Sequence, residues 1–147
     1  MTPGIWLLVL ENEGERKRKR EVCDLSYNLG RIVCVVDIII TCEERCFDAV
    51  LEDLHNKGGR MNRPVHVFNV DIRDNHEEAL VGGRGIRELG LMLNEAAAQE
   101  METHGDSGWD SGSGNARAGF DERVPDILAA WQEKWPNLPA IWSLAWF

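Results

Sequence analysis

Two short β-branched runs constrain this chain most, because each leads at once into the start of an amphipathic helix. Asp37-Ile38-Ile39-Ile40-Thr41 is apolar without alternation, which suits a strand buried on both faces. Thr41 with Glu44 three residues on reads as a capping box, and Phe47, Val50, Leu51 and Leu54 then fall at i, i+3, i+4 and i+7. The pattern predicts a helix from Cys42 to about Asn56, stopped at Gly58-Gly59. The second run, Val65 to Val70, follows Pro64, and a second helix is expected to open near Asp74, with Glu77 repeating the capping signature. Its buried line would include Ala79, Ile86, Leu89, Leu93 and Ala97. Gly82, Gly83 and Gly85 weaken that helix by about 1 kcal/mol each against alanine, so close packing or a local break is expected there.

Residues 104–119 are rich in Gly, Ser, Asp and Asn without periodicity, and read as a mobile surface linker. Val124, Ile127, Leu128, Trp131 and Trp135 then give a third helix, entered through Pro125 and stopped by Pro136. The ending Ile141 to Phe147 is apolar on both alternating faces and is expected to be a buried C-terminal strand. Strand–helix alternation of this kind implies an α/β fold, a three-layer sandwich with a mainly parallel sheet.

A length of 147 residues fits one domain. The formal charge of -9 argues against a direct nucleic-acid contact, which needs a net basic face, and against docking on an anionic membrane. The first apolar run, Ile5 to Leu10, is too short for a signal-peptide core or a membrane span. Cys23, Cys34, Cys42 and Cys46 read as free thiols of a reducing compartment. Cys42 and Cys46 stand four apart with no second pair to close a zinc site, and no metal or cofactor is expected. Arg16-Lys17-Arg18-Lys19-Arg20 has the composition of a nuclear-import patch, a weak pattern that a merely solvated run shares.

The densest chemistry lies in VDIRDNHEEA, residues 70 to 79, with six ionisable groups in ten positions behind an apolar strand. The residues alone leave two readings open. Asp74 is an N-cap, with Glu77 and Glu78 favouring the helix dipole, or one of these groups does acid–base work.

The segments VDIIITCEERCFDAVLEDL and RPVHVFNVDIRDNHEEA resemble the second half of the Ssu seventy-two family, the cysteine phosphatases of the RNA polymerase II C-terminal domain. The ending RVPDILAAWQEKWPNLPAIWSLAWF is similar to the last helix and strand of fungal members. The resemblance runs from about Val36 to Phe147 and covers the C-terminal portion of the family only, leaving residues 1–35 as an unmatched segment. It implies a fold similar to low-molecular-weight tyrosine phosphatases and removal of phosphate from heptad-repeat serines. It further implies a nuclear location and docking on the symplekin/Pta-type scaffold of the cleavage and polyadenylation machinery. Asp74 occupies the family's general-acid position, while Asp71, Arg73, His76, Glu77 and Glu78 remain structural. Such an acid protonates the departing serine alkoxide as the P–O bond breaks.

The other half of that chemistry is a Cys, five residues, then Arg, whose backbone N–H groups cradle phosphate while the Arg grips its oxygens. Six positions after Cys23, Cys34, Cys42 and Cys46 stand Leu29, Ile40, Asp48 and Glu52, so no cysteine qualifies. Cys42 has only Glu43 and Glu44 before Arg45, too few residues to wrap a phosphate and of the wrong charge. The first strand-like run is followed by Glu11-Asn12-Glu13-Gly14-Glu15, which would repel one. The expectation is therefore a phosphatase-family chain with the N-terminal strand and phosphate loop missing, inactive as it stands. Ile5 to Leu10 is a possible substitute for the strand. The alternative is a non-catalytic module that keeps only scaffold contacts.

Overall fold

The computed structural model describes residues 7–10, 37–73, 75–109 and 111–147. The basic run, Cys23, Cys34, nearly all of residues 1–35 and Asp74 lie outside the described residues. The elements are β1 (Leu7–Leu10), β2 (Ile38–Thr41), α1 (Glu44–Lys57), β3 (Pro64–Val70), α2 (His76–His104), α3 (Asn115–Lys134) and β4 (Ala140–Trp146). The strands form one sheet in the order β1-β2-β3-β4, the first three parallel and β4 antiparallel to β3. The result is an α/β fold on a small mixed sheet, with a strand at Leu7–Leu10 standing beside β2.

Alternate side chains of the buried strands feed two cores, as the period of two requires. Ile38, Ile40, Phe68 and Val70 pack under α2 and α3 with Ile86, Leu89, Leu93, Phe120, Val124 and Trp131. On the opposite face Ile39, Val65 and Val67 meet Phe47 and Leu54 of α1, together with Phe147. These are the expected three layers.

Helix boundaries depart from the sequence reading where side chains have tertiary partners. Thr41 does not cap α1: its hydroxyl donates to Asn69 Oδ1 at 2.8 Å and to the Phe68 carbonyl at 3.2 Å, so it is engaged between strands. The cap residue is Glu43, with no side-chain cap bond, and α1 ends as expected at Gly58 in the left-handed region. For α2 the cap is Asn75, whose Oδ1 accepts from the Glu78 N–H at 2.8 Å, one residue later than the Asp74–Glu77 pair suggested. Ala79 is exposed rather than buried, since α2 makes its first inward contact at Gly82. A Cβ on Gly82 would overlap the side chain of Ile72. Trp131 packs against Gly85 and donates its indole N–H to the Gly85 carbonyl at 2.7 Å. The two glycines thus permit close approach, and the helix runs on unbroken.

Where a mobile linker was expected over 104–119, α2 runs to His104 and α3 begins at Asn115, and the described residues between them are held in turns. Trp109 among them is 2% exposed and packs on Phe120, ring centroids 5.5 Å apart. Gly112 N–H donates to the Trp109 carbonyl at 2.9 Å, and Ser113 N–H to that of Gly108 at 2.8 Å. Helix α3 accordingly begins at Asn115, with Pro125 inside it.

What hides this helix start from a hydrophobic pattern is a buried polar chain. Arg117, 1% exposed, donates to Asp37 Oδ1, to the Pro64 carbonyl at 2.8 Å and to Asp121 Oδ1 at 3.0 Å. Arg63 reaches the same Asp37 oxygen at 2.8 Å. Asp121 meets His66 Nε2 at 2.7 Å, and the Trp142 indole N–H donates to His66 Nδ1 at 3.1 Å. Since that indole can only donate, His66 Nδ1 must accept, which leaves the ring proton on Nε2 facing Asp121.

The last strand is not buried as expected. It stands at the end of the strand order, and Ile141, Leu144 and Trp146 are exposed. Full burial would need a second neighbour, and among the described residues only β3 pairs with it.

Candidate functional site

The register aligns Leu10, Thr41 and Asn69 across the C-terminal edge of the three parallel strands. The chain leaving β2 and β3 emerges at this edge of the sheet. With strands about 4.8 Å apart, β1 and β3 lie roughly 10 Å from one another. The loop following β3 leaves the sheet at this carboxyl edge, the usual placement of ligand-binding loops on parallel strands.

The loop after β3 carries the ionisable cluster and is pinned at several points. Asp71 N–H donates to the Pro139 carbonyl at 3.0 Å, and Ile72 N–H to the Cys42 carbonyl at 3.3 Å. Asn75 N–H closes onto the Arg73 carbonyl at 2.8 Å. The Ile72 side chain fits against Gly82, which ties the loop to α2. Thr41 and Asn69 link the two strand ends beneath it, and Asn69 Nδ2 donates onward to Asp71 Oδ1 at 3.4 Å. Asp71, Arg73, His76 and Glu77 are exposed, and Glu78 is half-buried. Asp74 sits in sequence between Arg73 and the cap Asn75, so the loop that carries it is anchored at both ends.

The Cys46 thiol, beside this loop's neighbour strand, does not sit in the field that makes a nucleophile. Burial, and secondarily the charge of Glu43, pushes the Cys46 thiol above its ordinary value, only partly offset by Arg45. A thiolate nucleophile needs the opposite field. Glu43 instead pairs with Arg45 at 2.7 Å. Among the described residues no cluster of three His, Cys, Asp or Glu could hold a metal ion, and no helix is long and apolar enough to cross a membrane.

Sequence reasoning found the loop but missed its supports, Asn69 and the Asn75 cap. An asparagine inside the apolar run Val65–Val70 was the available signal for the first. An open groove of about 430 Å³ between Met61, Pro64, Gly112 and Trp146 lies toward the N-terminal end of β3, away from this loop.

The model of the Ssu72-like protein family matches residues 7–147. The RNA polymerase II C-terminal domain phosphatase ssu72 of Aspergillus fumigatus is 72% identical over 118 residues, 80% of this chain and 41% of that protein. The Aspergillus oryzae protein of the same name is 70% identical over 118 residues, 80% of this chain and 45% of its own. The chain thus spans less than half the length of these curated relatives. Among solved structures, Drosophila melanogaster Ssu72 with Symplekin, bound to a cis peptidomimetic CTD phosphoserine peptide, aligns with a TM-score of 0.56 at 25% identity. That alignment covers 79% of this chain and 50% of the other.

Proposed function

Because the chain belongs to the Ssu72-like protein family, we propose that it carries the general-acid half of a serine phosphatase directed at the RNA polymerase II C-terminal domain. Asp74 is the acid, delivering its proton to the departing serine oxygen. The observation that carries this reading is the anchored loop from Asp71 to Asn75 at the carboxyl ends of β2 and β3. Helix capping falls to Asn75, so the capping role does not account for the aspartate before it. An acid must be held near the scissile bond, and a loop fixed at both ends does so at little entropic cost.

In this reading the whole fold is of the low-molecular-weight tyrosine phosphatase kind, and the mixed sheet with helices on both faces supports it. No cysteine here is followed by Arg six positions on, so the 147-residue chain is inactive by itself. The same feature favours a second reading, a non-catalytic module. In either case the chain acts in the nucleus, in transcription and mRNA 3′-end processing. Its partners are a symplekin-type scaffold and, for the enzyme reading, the phosphorylated repeat.

The decisive experiment joins the Cys-loop half of an active relative before Asp37. Asp74→Asn in that hybrid is expected to slow phosphoserine-peptide hydrolysis by roughly 10²–10⁴-fold, with a smaller effect on an aryl phosphate whose phenolate leaves unaided. Equal rates on the serine substrate would remove Asp74 from the chemistry. A pull-down with the scaffold separates the second reading, which requires that contact to survive in the chain alone.

A further inference from the structure

The outer edge of β4 has a hydrogen-bonding parity and a side-chain pattern that fit a second copy of itself. Phe147 N–H donates to the Arg63 carbonyl at 2.9 Å and Asp71 N–H to the Pro139 carbonyl at 3.0 Å. With the observed register, Ile141, Ser143 and Ala145 are the residues that bond inward to β3. Ala140, Trp142, Leu144 and Trp146 therefore aim their N–H and C=O groups away from the sheet, and none of these backbone groups meets a partner among the described residues.

Natural edges of this length are normally blunted by charge, proline or a bulge. Residues 140–146, AIWSLAW, contain none of these, and Ile141, Leu144 and Trp146 are exposed along them. A strand added here has apolar neighbours on both faces, so it must itself be apolar on both faces. β4 is such a strand.

We propose that two copies of this chain pair antiparallel through β4, about a two-fold axis at Ser143. The parity permits this axis. Residues with outward bonds must face one another, which sets Ala140 opposite Trp146 and Trp142 opposite Leu144 of the second copy. Ile141 then faces Ala145, and Ser143 faces its own symmetry mate. Two of these pairings set a large side chain against a small one, and the residue on the axis, where Cα atoms come within about 4.5 Å, is a serine. The contact is isologous and closes on itself, giving a dimer rather than a filament. Each copy carries a formal charge of -9, so long-range repulsion opposes association and salt promotes it. This inference is independent of the catalytic reading.

Sedimentation velocity on the full chain tests it. The expected result is a monomer–dimer equilibrium that shifts toward dimer as salt rises. Leu144→Pro deletes an outward N–H while sparing the ladder to β3, as edge prolines do. It should raise the dimer dissociation constant by about tenfold or more, with a far-ultraviolet circular dichroism spectrum matching the parent's showing that the fold is kept. Ser143→Cys gives a positional readout. Two copies paired as proposed bring the substituted positions within disulfide reach, and mild oxidation should yield a symmetric cross-link identified by peptide mapping. Leu144→Cys should not cross-link to itself. A monomer at the highest soluble concentration in high salt overturns the proposal. So does a dimer that cross-links equally through either position.

Discussion

The buried link between Arg117 and Asp37 can be tested by replacing the arginine with methionine, which keeps most of the volume and removes the charge. In the folded protein both side chains are almost wholly buried, at 1% and 0% exposure. Arg117→Met withdraws donors from Asp37, Asp121 and the Pro64 carbonyl, and removes the cation lying 5.3 Å from the Trp109 ring centroid. Breaking a buried ion pair from one side costs about 3–5 kcal/mol, because the remaining charge stays desolvated. Asp37 retains Arg63 at 2.8 Å, which places the charge component at the lower end. The bereft Pro64 carbonyl adds about 1–3 kcal/mol unless water reaches it. A total near 4 kcal/mol is a large part of the roughly 5–15 kcal/mol that holds a domain together. At about 2–4 °C per kcal/mol, the melting temperature should fall by roughly 8–16 °C. Urea denaturation followed by tryptophan fluorescence measures the loss directly, since Trp109 and Trp131 are buried reporters. A loss below about 1 kcal/mol would refute the reasoning, because such a value belongs to a solvated pair.

The glycines of α2 should separate by position. Gly82→Ala drives a Cβ into Ile72 and should destabilise by about 1–3 kcal/mol despite alanine's helix preference, whereas Gly83→Ala points into open space and should stabilise by about 1 kcal/mol, both read from thermal melts. Glu88 gives a pH signature. Hydrogen bonds from Lys134 and then Trp135 hold its carboxyl below the ordinary value of 4.5. Its contribution is thus complete above that value and is lost as pH falls through the depressed one. Glu88→Gln should shift the urea midpoint down at neutral pH and converge with the parent in acid; a constant offset at every pH would contradict this.

Local pattern determined much of this protein. The runs at Ile38–Thr41 and Val65–Val70 read as buried strands because they are short, rich in β-branched residues and bounded by turn and helix-start signals. The heptad-like spacing of Phe47 and Leu54 likewise settled α1, and Gly58 its end. The position of the Asp74 loop behind β3 also followed, since strand and helix signals bracket it. Tertiary structure alone decided which residues cap and which face the core. Thr41 looked like a cap and bonds across strands instead, and the Asp74–Glu77 signature gave way to Asn75. The polar start of α3 read as linker because Arg117 counts as a surface residue in any hydrophobicity pattern. Its burial becomes favourable only when Asp37, 80 positions away in the chain, arrives to pair with it. Trp146 shows the converse: an apolar strand is 45% exposed because no described strand lies beyond it. Periodicity records what a residue prefers, whereas partners distant in sequence set whether that preference can be met.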